Sequence, residues 1–110
     1  MKFDVVMTTA ESVREAGNRL AQIRLSRNIT QLELAQRAGV SKRSLERLEA
    51  GVVGLRQDVF FAVCGALGLT PGFEVLLPEV RLSPQDILAK RVLPKRARKR
   101  KTAREWGGRQ

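Results

Sequence analysis

Residues 30–51 read TQLELAQRAGVSKRSLERLEAG, and this stretch decides the fold. Thr30 followed three residues later by Glu33 is a capping box, so a helix opens there and runs to Ala38, where Gly39 supplies a break with freedom at positive φ. Ser41 then caps a further helix that ends near Gly51, with Leu45 and Leu48 turned inward and Lys42, Arg43, Glu46 and Arg47 turned out. Ala35, Gly39, Val40, Leu45 and Leu48 together meet the packing needs of two helices crossing steeply through a tight turn. Ala35 is small where the next helix crosses it, Gly39 makes the turn, Val40 fills the corner, and the two leucines anchor the outer helix.

Working outward, Thr8 to Glu11 carries another capping box, and Val13, Ala16, Leu20 and Ile23 form one apolar stripe, with Asn28 as the left-handed stop. After the Gly51 to Gly54 loop, a fourth helix is expected from about Leu55 to Leu67, with Val59, Phe60, Val63, Ala66 and Leu67 buried and Gly68 ending it. Thr70-Pro71 and Ser83-Pro84 each set a hydroxyl before a proline and are expected to start short helices. Lys2 to Met7 is a weak strand candidate or a frayed terminus. Phe73 to Leu82 is either a dimer contact or a packing extension of the core. The expected architecture is all-α: a compact helical bundle containing a helix-turn-helix, followed by a basic, disordered tail. Its divisions are an extension at 1–9, the helix-turn-helix domain at 10–77, a connector at 78–92 and the tail at 93–110.

Over roughly Val13 to Leu69, through the 30–51 stretch and the apolar run FFAVCGALGL that follows it, the chain resembles the lambda-repressor-like, or XRE, helix-turn-helix family. The resemblance implies that the third helix enters the major groove of double-stranded DNA with its N-terminal residues at base edges. Lys42 and Arg43 then stand where they can donate to guanine, Ser41 and Ser44 where they can meet base or phosphate, and Arg47 one turn further on. Gln31, in the first turn of the second helix, is expected to hold a phosphate oxygen together with that helix's unpaired N–H groups, and Arg56 is a second phosphate candidate. The resemblance also implies an internal ion pair between Arg24 and Glu49, a structural role.

The chain has 110 residues and a net charge of +10, unevenly placed. Residues 1–78 hold ten Lys and Arg against eight acids, or +2, and residues 79–110 hold eleven against three, or +8. A nearly neutral module with a cationic extension suits a polyanionic partner, and the nine Lys and Arg from Lys90 to Arg104 could follow phosphates. Trp106 beside Glu105 is a candidate anchor for a protein partner. The order of module, connector and tail also resembles the HipB-type antitoxins, which repress their own operon and bind HipA-family kinase toxins.

With no histidine and one cysteine, Cys64, metal sites, His-based catalysis and an internal disulfide are excluded, and Cys64 reads as a small core residue. No nucleophile has a base beside it, so no enzyme and no cofactor are expected. The first residues do not form a signal or membrane-spanning segment, which leaves a reducing cytoplasm as the expected compartment. The reading is a homodimeric, sequence-specific repressor of a palindromic operator; the alternative is an antitoxin with a toxin partner.

Overall fold

The computed structural model describes residues 2–90 and 96. It divides into two units, Met1–Pro78 and Glu79–Gln110. All regular structure among the described residues is helical.

In the first unit, α1 spans Thr9–Ser26. The Thr8 hydroxyl accepts from the Glu11 N–H at 3.1 Å, and the Glu11 carboxylate accepts from the Thr8 N–H at 2.7 Å. This is the expected reciprocal cap, and Asn28, at φ 56°, is the left-handed stop. The inward face differs from the apolar stripe: Gly17, Leu20 and Arg24 are the buried residues of α1, while Val13, Ala16 and Ile23 are half-buried. A Cβ built on Gly17 would lie 2.3 Å from the Leu48 carbonyl oxygen, so the approach to the third helix is made at the glycine.

The second helix, α2, spans Gln31–Ala38 and opens on the Thr30–Glu33 capping box. Gly39 ends it at φ 72°, and the Val40 N–H reaches back to the Ala35 carbonyl at 3.0 Å, which closes the turn. Ser41 caps α3, Lys42–Glu49. These two helices pack on each other, α1 packs on α3, and both α2 and α3 pack on the helix at Gln57–Ala66. The shared core is Leu20, Leu34, Ala35, Leu45, Leu48, Val63, Cys64 and Leu67, with Val40 and Ile23 against its edge. Burial pushes the Cys64 thiol above its ordinary pKa, which keeps it protonated and unreactive.

The fourth helix, α4, spans Gln57–Ala66. It starts two residues later than the sequence suggests, because Arg56 stays extended (φ −62°, ψ 137°) and serves as the N-cap residue without a side-chain cap. Of the positions expected to be buried, Val63 and Leu67 are; Val59, Phe60 and Ala66 are half-buried against the core. A short α5, Gly72–Leu76, follows. Here the expected hydroxyl cap is absent. Pro71 is itself the N-cap residue, in helical conformation, and it is the Thr70 carbonyl that accepts, from the Phe73 N–H at 3.0 Å. Phe73 makes the packing extension, its ring 4.7 Å from that of Phe61 and 6.0 Å from that of Phe60.

Residues 2–7 are not a strand. The Asp4 carboxylate accepts from the Val6 N–H at 3.2 Å and the Asp4 carbonyl from the Met7 N–H at 3.1 Å, which bends the segment into a turn. Phe3 lies under the Arg19 guanidinium, 4.6 Å from its ring centre.

In the second unit, α6 spans Pro84–Leu88 behind a Ser83–Asp86 capping box, as the Ser-Pro pair suggests. Ile87 and Leu88 are exposed. Most of the basic tail, including Glu105 and Trp106, lies outside the described residues.

Candidate nucleic-acid interface

The inward face of α3 is fixed by Leu45, with no exposure, and Leu48, at 8 %. These two residues orient the rest of the helix, so Lys42, Arg43, Glu46 and Arg47 are all exposed on its other side. At its start the Ser41 hydroxyl accepts from the Ser44 N–H at 3.0 Å and donates to the Ser44 hydroxyl at 2.9 Å. Ser41 therefore satisfies the helix end, and its one proton is committed to Ser44.

The cations on this face fall into two groups. The Lys42 ammonium lies 3.6 Å from the Glu46 carboxylate, and the Arg56 guanidinium donates to the Asp58 carboxylate at 2.6 Å. Arg43 and Arg47 have no ion pair among the described residues. Arg56 and Asp58 share a shallow cleft of about 330 Å³ with Val40, Ser41 and Ser44, so the loop arginine is brought beside the start of α3. Neither acid, Glu46 nor Asp58, is a partner in the sequence reading. The spacing of Lys42 and Glu46, one helical turn apart, was the available signal.

Gln31 is half-buried and sits elsewhere in the network. Its Nε2 donates to Glu49 Oε1 at 3.0 Å. Glu49 is the acid of the expected ion pair: Arg24 Nε donates to Oε2 at 2.7 Å and Nη2 to Oε1 at 3.0 Å, while Nη1 donates to the Ile29 carbonyl at 2.8 Å. The two side chains are 9 % and 7 % exposed, so a desolvated, bidentate pair ties α1 to the last residue of α3. The Gln31 bond to it has no counterpart in the sequence reading, since eighteen positions separate the residues.

At the start of α2 the capping box uses the Glu33 N–H, and the Leu34 N–H bonds to the Thr30 carbonyl. The N–H groups of Gln31 and Leu32 are left without an intrahelical acceptor. The Thr30 N–H, then its hydroxyl, holds the Glu33 carboxyl below the usual glutamate range, so a full negative charge stands in the first turn.

Among the described residues no group of His, Cys, Asp or Glu is arranged to hold a metal ion, and no helix is long and apolar enough to cross a membrane. The helix-turn-helix family model matches residues 20–73, from within α1 to the start of α5. No curated protein matches the chain in sequence. The matched segment holds both helices of the turn, the Arg24–Glu49 pair and the cationic face of α3, and the chain accordingly carries a DNA-binding regulator's helix-turn-helix domain of the lambda-repressor-like, or XRE, family.

Proposed function

We propose that the protein is a homodimeric repressor whose α3 helices read the two halves of a palindromic operator, about 34 Å apart, in successive major grooves. The observation that carries this reading is the pair Arg43 and Arg47, exposed without ion pairs among the described residues on a helix whose opposite face is locked into the core by Leu45 and Leu48. An arginine with its fork free can donate two parallel hydrogen bonds to guanine O6 and N7. Lys42 and Ser44 stand beside it for base or phosphate, Ser41 joins them once its hydroxyl exchanges the bond to Ser44 for one to a base or phosphate, and Arg56 and Gln31 serve the backbone. The basic tail adds sequence-independent affinity, and the protein works in the cytoplasm on nucleoid DNA.

The test is selection of bound duplexes from random-sequence DNA, followed by Arg43→Ala. The variant loses about 1–3 kcal/mol on the selected site and relaxes preference at one base position. An equal loss on selected and random duplexes refutes base reading.

A second reading rests on Trp106 and Glu105 in the tail, an aromatic anchor in a polar segment. It makes the protein an antitoxin that holds a toxin and regulates its own operon. Trp106→Ala then weakens a copurifying protein partner while operator affinity is unchanged, and the absence of any such partner removes this reading.

A further inference from the structure

We infer that Glu46 is a specificity-determining residue: its carboxylate accepts from cytosine N4 in the major groove, while Lys42 donates to the guanine of the same base pair. The inference rests on the docking of α3 proposed above. With Leu45 and Leu48 turned into the core, Lys42, Arg43, Glu46 and Arg47 share the exposed side of α3. At about 100° per residue they follow one another around the helix in the order Lys42, Glu46, Arg43, Arg47, over an arc of about 140°. The acid therefore stands inside the cationic arc, with a cation on either side, and not at its rim. Lys42 Nζ lies 3.6 Å from Glu46 Oε2, and the two side chains are 53 % and 48 % exposed.

So exposed a pair does little for the fold. In front of DNA, by contrast, the negative charge has a definite effect. Phosphates repel it, and so do the base edges that only accept: guanine presents N7 and O6 in the major groove, and thymine O4 beside a methyl group. Cytosine N4 and adenine N6 alone donate, and adenine sets its N7 acceptor beside N6, where a carboxylate has nothing to give it. Cytosine is the base that a carboxylate within this arc meets without a clash of charge. Lys42 completes the match, because an ammonium only donates and the guanine opposite cytosine only accepts. An acceptor and a donor side by side on one turn of α3 thus fit one C·G pair, in one orientation.

The test uses the full chain, duplexes selected from random-sequence DNA, and a scrambled duplex of the same composition. Wild type selects cytosine at one position of each half-site, and replacing that C·G pair by T·A or G·C weakens binding about five- to fiftyfold. Glu46→Ala reduces this discrimination to less than about twofold. The same variant binds the scrambled duplex about two- to fivefold more tightly than wild type, since Lys42 is released and a repulsion removed. Loss of a merely structural residue does not strengthen binding. Glu46→Gln keeps the shape of the side chain and admits adenine at the same position, because an amide both accepts from N6 and donates to N7. Urea melts establish that each variant is folded, and either one alone decides the matter. Unchanged base preference in a folded variant overturns the inference, as does a Glu46→Ala chain that binds selected and scrambled duplexes equally less well. If wild type selects no duplex, the DNA-binding reading falls and this inference with it; if it selects sites that Glu46→Ala also selects, the inference alone falls.

Discussion

Replacing Gly17 by alanine places a methyl group where the structure has room for none. The Cβ would lie 2.3 Å from the Leu48 carbonyl oxygen and 3.0 Å from that of Glu49. A carbon rests no closer than about 3.3 Å to such an oxygen, so the two helices must part by about 1 Å. Both contacts are backbone of the last turn of α3, which cannot swing aside as a side chain would. Parting the helices loosens Leu48 and Leu20 in the core and stretches the Arg24–Glu49 pair beside them. Overpacking of this kind costs about 1–3 kcal/mol, and the better helix propensity of alanine returns about 0.8–1.0 kcal/mol. With rigid backbone on the far side, the loss wins by about 1–2 kcal/mol, a fall in Tm of about 5–15 °C for a domain of this size.

Gly65→Ala is the matched control, because it changes the same residue type in a helix but has only the Thr70 hydroxyl nearby, at 3.7 Å. It gains about 0.5 kcal/mol, since propensity is then the main term and the site is close to the helix end. Urea melts followed by circular dichroism measure both. The reasoning is refuted if Gly17→Ala is as stable as the wild type or more so, whatever Gly65→Ala does.

Arg24→Met leaves the Glu49 carboxylate buried without its cation and costs about 3–5 kcal/mol in urea melts, while adding Glu49→Leu recovers most of the loss; a double variant as unstable as the single one contradicts this. Glu11 and Glu33 both have lowered pKa values in the folded chain, first through the N–H and then the hydroxyl of their capping threonines. Their stabilisation is therefore complete above the ordinary glutamate pKa of about 4.3 and disappears as pH falls through the lowered values, so Tm drops below about pH 4 and Glu33→Gln, which cannot titrate, makes the drop shallower. Truncation after Val92 removes most of the cationic tail and flattens the dependence of log Kd on log salt; an unchanged slope excludes phosphates as the tail's target.

What was legible in the sequence is what local chemistry fixes. The Thr8–Glu11 and Thr30–Glu33 caps, the left-handed Asn28 and Gly39, and the burial of Ala35, Leu45 and Leu48 each depend on a few neighbouring residues or on one helical period. The inward face of α1 was displaced by one position for a physical reason. Counting apolar residues finds Ala16, Leu20 and Ile23, but the contact is made by a glycine, which has no side chain to count, and by Arg24, which is buried only because Glu49 meets it. The Gln31–Glu49 bond was likewise hidden, since nothing local brings the first residue of one helix to the last residue of the next. At α5 a threonine before a proline suggests a hydroxyl cap, but the proline continues the helical path and the Thr70 carbonyl accepts in the hydroxyl's place.

The division of the α3 face into paired and unpaired cations bears on how selectivity would arise. Exposed pairs such as Lys42–Glu46 and Arg56–Asp58 are worth about 0–1 kcal/mol each, so an approaching phosphate can replace the carboxylate at small cost. That cost nevertheless falls on every contact with DNA of any sequence and lowers the non-specific affinity of a unit whose net charge is only +2. Arg43 and Arg47, without an ion pair among the described residues, would bear no such cost, and a guanidinium without a competing carboxylate keeps its fork for whatever it docks on. Under the proposed docking of α3, residues 1–78 would discriminate because the charges assigned to phosphates are partly neutralised, and the +8 carried by residues 79–110 would supply the attraction that is given up there.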